Sequence, residues 1–201
     1  METASGDGST HLGDARSGQW RTERLAMKVT VCTAGRPGRP VIYLRYRIEN
    51  RTSEGLSVRL FAAILPFQVT PTWQNWRSFG GASTIRELTF RGGVVRIDGE
   101  KAVIPLTAAA GFGASAFAQG GVVQSLAEGE LPERVDVRDE FGFASGALRF
   151  DLELAPHSAG EVALAVPSGR VPEGGQAPPS ATEAFRDAVR NWETVLDTVQ
   201  F

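Results

Sequence analysis

Short segments in which apolar and polar residues alternate recur along most of this chain. In the first of them every second residue is apolar, at Leu25, Met27, Val29 and Val31. Successive side chains of a β-strand point to opposite faces of a sheet, so this period is typical of strands that bury one face. Similar segments predict strands at 23–33, 41–49, 56–69, 85–90, 94–97, 102–106, 112–117, 146–154 and 162–166. The chain is therefore predicted to be all-β and to fold as an antiparallel β-sandwich.

Turn residues between these segments favour hairpins. Asp98-Gly99 separates two apolar runs, and a tight hairpin turn of this kind needs positive φ at both central residues. Residues 60–67 are apolar on both faces, which is typical of a strand in the middle of a sandwich. Residues 122–127 fit either a strand or a short helix. The residues that we expect to be largely buried are Leu44, Tyr46, Leu60, Ile64, Phe150 and Leu152.

Near the end of the chain, the spacing of apolar residues changes from two to three and four. Ser180-Ala-Thr-Glu183 has the capping-box pattern of a helix N-terminus. Apolar residues then follow at spacings of three and four, and they predict one packing face on an amphipathic helix, formed by Phe185, Val189, Trp192, Leu196 and Val199. We expect this helix to pack on the sandwich, the alternative being a partner outside this chain. The predicted organisation is a flexible lead at 1–19, a sandwich at 20–167, a Gly/Pro-rich linker at 168–179 and a C-terminal helix at 180–201.

Composition narrows the classes of partner. The 21 lysines and arginines nearly balance the 23 aspartates and glutamates, so no electrostatic argument favours nucleic acid or an anionic membrane. No apolar run approaches the roughly 20 residues that a membrane-spanning helix needs. Residues 1–19 lack a signal-peptide pattern, so we expect a cytoplasmic rather than a secreted protein. The chain is equally compatible with a fragment of a longer protein.

Few residues have the chemistry of a metal or nucleophilic site. His11 and His157 are the two histidines and Cys32 is the single cysteine. We therefore expect no internal disulfide, no metal site and no cofactor. Cys32 is interpreted as a small apolar residue in a strand.

Carboxylates are the best candidates for acid/base chemistry. Asp136, Asp139 and Glu140 lie close together in the sequence. Two carboxylates can serve a glycosidase as acid and as nucleophile or base. The favoured interpretation is instead a solvated charged loop that pairs with Arg134 and Arg138, because the local sequence lacks a second catalytic element.

The most unusual feature is a loop rich in aromatic residues. It carries Trp73, Gln74, Trp76 and Phe79 between polar and turn-forming residues. Amphipathic aromatic rings favour binding surfaces, so these residues are candidates for a carbohydrate or interdomain contact. The alternative is that they cover the end of the core or an adjoining domain.

Three strings of the sequence resemble parts of long bacterial glycosidases. They are Phe61-Ala-Ala-Ile-Leu-Pro-Phe-Gln-Val-Thr-Pro-Thr-Trp-Gln74, Phe141-Gly-Phe-Ala-Ser-Gly-Ala147 and Glu161-Val-Ala-Leu-Ala-Val-Pro167. In such proteins this stretch resembles the N-terminal β-supersandwich, a galactose mutarotase-like domain that precedes an (α/α)6 catalytic barrel. Bacterial glucoamylases and maltose- and cellobiose-phosphorylase-type enzymes have this arrangement. The resemblance covers roughly residues 20–201 and implies that the terminal helix links sandwich to barrel.

This resemblance implies a non-catalytic accessory module that packs on a catalytic (α/α)6 domain of the same parent chain and contacts oligosaccharide. The catalytic acids of those families lie in the barrel, so no catalytic residue is carried over to this chain. Mutarotase activity is rejected because it needs histidines in a cleft on the sheet, and His11 and His157 do not match that pattern. Two alternatives remain: an independent carbohydrate-binding module and, less favoured, a glycoside hydrolase that uses Asp136, Asp139 and Glu140.

Overall fold

Antiparallel strands dominate the computed structural model, which describes residues 5–12, 15–36, 38–68, 81–169 and 180–198. This confirms the predicted all-β sandwich class. The strands are β1 (Ser5–Leu12), β2 (Ala15–Arg21), β3 (Leu25–Arg36), β4 (Arg39–Asn50), β5 (Leu56–Ile64), β6 (Phe67–Gln68), β7 (Ala82–Ser83), β8 (Glu87–Arg91), β9 (Val94–Ile97), β10 (Lys101–Pro105), β11 (Gly111–Ser115), β12 (Asp136–Arg138), β13 (Ser145–Leu154) and β14 (Ala159–Pro167). The helices are α1 (Gly121–Ala127) and α2 (Ala181–Thr198), and Phe117–Gln119 forms a 3-10 turn.

The chain divides into two units, and three of the boundaries between them fall within the strands β5, β10 and β13. The first unit comprises Met1–Val58, Val103–Ala108 and Leu152–Phe201, and the second comprises Arg59–Ala102 and Ala109–Asp151. In the described part of the chain, no helix has both the length and the apolar character needed to cross a bilayer.

In the first unit, strands pair in the order β1-β2-β3-β4-β14, and the end of β10 joins β14. The first two strands lie where the sequence predicts a flexible lead, at 1–19. That interpretation is wrong for β1 and β2, because residues 16–21 pair with residues 26–31 of β3 and a polar segment can satisfy its backbone groups in such a ladder.

Helix α2 covers one face of this sheet. The register places Cys32 opposite Tyr43 and Tyr43 opposite Ala165, so these side chains share a face. All three are buried, and Cys32 is therefore the small strand residue that the sequence predicts. They form one cluster with a face of α2 that consists of Ala184, Phe185 and Ala188.

The packing face of α2 differs from the predicted one. Phe185 is buried as expected, but Val189 is 39% exposed. Ala184 and Ala188 take its place, because small side chains let a helix approach the bulky Tyr43 ring closely. The side chains of Trp192 and Leu196 lie outside the described residues, as does Val199.

The predicted core is partly wrong. Phe150 is buried, whereas Leu44, Tyr46, Leu60, Ile64 and Leu152 are only half-buried. On β4, Tyr43 lies on the same face as Arg45, Arg47 and Glu49, opposite the face of Leu44 and Tyr46. The helix covers the face of Tyr43, so Tyr43 is buried in place of its neighbour Leu44.

The second unit contains a three-stranded sheet in the order β11-β13-β5 and a meander in the order β9-β8-β12. The Phe90 and Phe112 rings stack within it, with centroids 5.2 Å apart. The predicted turn after β9 is confirmed, since Asp98 and Gly99 both have positive φ, at 53° and 67°. Residues 121–127 are a helix, which decides between the two predicted alternatives.

Candidate functional site

The segment after β12 brings the predicted carboxylates into two different settings. Along β12 the side chain of Val137 is buried, while Asp136 and Arg138 are exposed on the opposite side. The chain then turns so that Asp139 points inward, and its side chain is only 6% exposed. Asp136 and Asp139 therefore do not act as a pair of neighbouring surface carboxylates.

The carboxylate of Asp139 is held by backbone donors. Its Oδ2 accepts a hydrogen bond of 2.7 Å from the Phe117 N–H. Its Oδ1 accepts hydrogen bonds from the N–H groups of Phe141, at 2.9 Å, and Phe143, at 3.2 Å. One buried side chain thus ties the 3-10 turn at 117–119 to the loop that follows β12.

These hydrogen bonds determine the charge of Asp139. The Phe117 N–H lowers the pKa of the carboxyl most, burial opposes this, and the N–H groups of Phe143, Phe141 and Gly142 lower the pKa further. The group is therefore ionised at neutral pH and has no proton to donate as a general acid. Because its oxygens already accept these backbone hydrogen bonds, we assign it a structural role.

Three phenylalanines that are fixed by Asp139 are exposed. Phe117 is 64% exposed, Phe141 63% and Phe143 44%. The rings of Phe117 and Phe143 lie 5.6 Å apart at an angle of 51°, within the range of favourable aromatic contacts. We call Phe117, Phe141 and Phe143 the phenylalanine cluster.

An open cleft of about 670 Å³ lies beside this cluster, within the second unit. Its polar lining comes from Arg86, Glu87, Arg138, Asp139 and Glu140. The Arg138 guanidinium donates to Glu87 Oε1 from both Nε, at 3.2 Å, and Nη2, at 3.1 Å. The Arg86 guanidinium donates to the backbone oxygen of Glu140, at 3.2 Å. The cleft therefore presents guanidinium and carboxylate groups that are already oriented by neighbours.

Gly142 allows the loop to follow this path. Its φ is +81°, a left-handed conformation that side chains with a Cβ rarely adopt. A Cβ at this position would lie 2.8 Å from Cβ of Thr84. A glycine is therefore needed between Phe141 and Phe143.

Asp136 pairs with Arg91, at 3.1 Å between Oδ2 and Nη2, whereas the sequence interpretation paired the acidic loop with Arg134 and Arg138. The pairing with Arg138 is wrong because Arg138 binds Glu87. Trp73, Gln74, Trp76 and Phe79 lie outside the described residues.

His157 lies in a turn with a φ of +53°, and its N–H donates to the Thr52 oxygen at 3.2 Å. The neighbouring Ser158 hydroxyl donates to the Ala155 oxygen. Among the residues that the structure describes, no three His, Cys, Asp or Glu side chains gather as metal ligands would.

Sequence reasoning missed the phenylalanine cluster. Phe141 and Phe143 stand directly after the acidic cluster, so an aromatic-glycine-aromatic string next to a carboxylate was a visible signal. Nothing in the sequence connects Phe117 or the β8 residue Glu87 to that string, because both are distant along the chain.

Comparisons with known proteins give little further information. No family model matches the chain, and no curated protein matches it. A provisionally assigned kojibiose phosphorylase from human microbiome is similar in structure over 92% of this chain and 21% of that chain, at 8% sequence identity and a TM-score of 0.39. This chain thus spans about a fifth of the length of that protein. We draw no functional conclusion from a likeness of this degree.

Proposed function

We propose that this chain is a non-catalytic accessory module of a larger carbohydrate-active enzyme. In this proposal it packs on a catalytic (α/α)6 domain of the same parent chain and contacts glycan. The resemblance of residues 61–74, 141–147 and 161–167 to bacterial glycosidases supports the carbohydrate class. The geometry of the second unit supports a role in binding rather than turnover.

The state of Asp139 is the observation that carries the proposal. A carboxylate that works as acid, base or nucleophile needs a free oxygen within reach of substrate. Asp139 is buried, and its two oxygens accept from three backbone N–H groups. It therefore orders the cleft without providing chemistry there.

The phenylalanine cluster supplies the contact surface. Exposed apolar area of this kind, next to polar groups, is typical of recognition sites. The faces of the phenylalanine rings are apolar, so they can stack on the apolar faces of sugar rings. The side chains of Arg86, Arg138 and Glu140 stand in the adjoining cleft, where sugar hydroxyls would find donors and acceptors.

A glycoside hydrolase is the third and least favoured candidate, and the geometry supports it less than a binding role. Asp136 is engaged with Arg91, so of the three candidate carboxylates only Glu140 lines the cleft without accepting several backbone hydrogen bonds. A single free carboxylate does not complete the acid and base pair that glycoside hydrolysis generally uses. An independent carbohydrate-binding module is the second candidate, and it differs from the first only in lacking a partner domain.

Calorimetric titration of the full chain with maltotetraose and cellotetraose tests the proposal. We expect the Phe117→Ala/Phe143→Ala variant to bind the preferred sugar at least about tenfold more weakly, the loss typical of a truncated hot spot. Trp20→Ala is the matched control, since Trp20 is a partly exposed aromatic residue of the other unit, at 39%. The phenylalanine cluster is not the contact if the parent chain, the double variant and Trp20→Ala bind the sugar equally well. The same conclusion holds if only Trp20→Ala loses binding.

A further inference from the structure

The cleft beside the phenylalanine cluster contains a charged pair that connects two strands. Arg138 of β12 stands directly opposite Glu87 of β8 in the ladder. Nε and Nη2 of Arg138 both donate to the same oxygen, Oε1 of Glu87, at 3.2 and 3.1 Å. Oε2 of Glu87 and Nη1 of Arg138 take no part in this contact. The pair therefore offers a carboxylate acceptor beside a guanidinium donor in the lining of the cleft.

Folding stability does not explain this pair. The side chain of Arg138 is 80% exposed and that of Glu87 33%. An ion pair that is exposed to water in this way contributes little to the free energy of unfolding. The two hydrogen bonds nevertheless restrict both side chains, so a ligand in the cleft meets polar groups whose orientation is already set. This favours a role in binding.

Two adjacent hydroxyls of a sugar ring match the acceptor and the donor of the pair. A hydroxyl donates one hydrogen bond and accepts others, so one hydroxyl can bind the Glu87 carboxylate while its neighbour accepts from the Arg138 guanidinium. Hydrogen bonds to charged groups of this kind are stronger than those between neutral groups. Phe141 lines the same cleft, so a sugar held by the pair also meets an apolar ring.

An acidic sugar fits the cleft less well. Arg138 is already paired with Glu87, and the Arg86 guanidinium is bound to the backbone oxygen of Glu140. Glu140 is an exposed acidic residue that also lines the cleft. A sugar carboxylate would therefore compete with Glu87 for Arg138 and stand near a second like charge, and both effects oppose its binding.

We infer that the cleft selects a neutral glycan and holds it by two adjacent ring hydroxyls at the Glu87–Arg138 pair. The cleft volume of about 670 Å³ lies within the range of small-molecule sites. This inference rests on the proposed glycan contact and adds the class of sugar that the contact accepts.

The test is calorimetric titration of the full chain with maltotetraose and cellotetraose, each also prepared with methyl groups on O2 and O3 of every unit. Methylation removes the adjacent hydroxyl donors, so we expect it to weaken binding to the parent chain at least about tenfold. Glu87→Gln/Arg138→Gln should bind the unmethylated sugar about tenfold more weakly and lose most of the difference between the two forms. A merely steric effect of the methyl groups would persist in this variant.

The matched control is Arg91→Gln/Asp136→Asn. It removes the other exposed pair between β8 and β12, at residues that are not among the described lining of the cleft, and it should bind both forms as the parent chain does. Each tetrasaccharide with a carboxylate at every C6 should bind the parent chain at least about tenfold more weakly than its neutral form.

Three results overturn this inference while the proposed glycan contact stands. The parent chain and Glu87→Gln/Arg138→Gln bind the unmethylated sugar equally well, methylation weakens binding by the same factor in both, or the acidic form binds as tightly as the neutral one. If the parent chain binds neither tetrasaccharide, the proposed function is wrong and this inference falls with it.

Discussion

Asp139 holds two separate segments of the second unit together through its carboxylate. Its sequence neighbours predict an exposed acidic loop, yet the side chain is buried and bound to three backbone N–H groups. The acidic composition of the loop was visible in the sequence. The inward turn of Asp139 was not, because it depends on the Phe117 N–H, which lies 22 residues away along the chain.

Asp139→Asn should destabilise the chain at neutral pH. An amide has one acceptor oxygen, and its NH2 group would face backbone donors that the carboxylate now binds. Because folding lowers the pKa of Asp139, its stabilising effect is complete above the unfolded pKa of about 3.9 and is lost as the pH falls through the lower folded pKa. Urea unfolding at pH 7 should therefore separate wild type from variant, and the difference should shrink in acid.

The control for Asp139 is Asp136→Asn. It removes an exposed pair with Arg91 and should change the free energy of unfolding by only about 0 to 1 kcal/mol. If Asp139→Asn unfolds like the parent chain at pH 7, the structural role of this carboxylate is wrong.

Among the elements, helix α2 shows both a success and a failure of sequence patterns. The pattern predicted where the helix begins, but it did not predict which face of the helix packs on the sheet. The capping box was confirmed, since the Ser180 hydroxyl accepts from the Glu183 N–H at 3.3 Å and the Ser180 N–H donates to the Glu183 carboxylate. The start of the helix is a local property, so the sequence predicts it. The side of α2 that packs is not local, because it is selected by the shape of the sheet around Tyr43. The spacing of large apolar residues therefore placed Val189 on the packing face and did not identify Ala184 and Ala188, which pack there.

Phe185→Ala and Val189→Ala form a matched pair on this helix. Phe185 is buried in the cluster on the sheet, so its truncation should cost about 3 to 5 kcal/mol of stability. Val189 is largely outside that cluster, and its truncation should change stability by about 0.5 kcal/mol or less. Denaturant unfolding followed by far-ultraviolet circular dichroism measures both. If both variants lose a similar amount of unfolding free energy, Val189 belongs to the packing face as the sequence predicts.

At the scale of the whole molecule, the all-β class and the hairpins followed from the period of two and from turn residues such as Asp98 and Gly99. The division into two units did not follow. Each unit is assembled from segments far apart in sequence, and periodicity reports only on one segment at a time. The phenylalanine cluster was missed for the same reason, since it joins Phe117 to the 141–143 loop. The prediction for Trp73 and Trp76 stays a prediction.

Nuclear magnetic resonance on the isotope-labelled full chain tests the central claim, that the second unit binds glycan without cleaving it. Maltotetraose and cellotetraose are added in turn, and the amide signals of the protein and the reducing-end signals of the sugar are followed in one sample. We expect saturable shifts at the amides of Phe117, Phe141 and Phe143 and an unchanged amount of reducing ends. Glycan binding without cleavage is wrong if new reducing ends accumulate with time, or if the amide signals of these three residues do not move with either sugar.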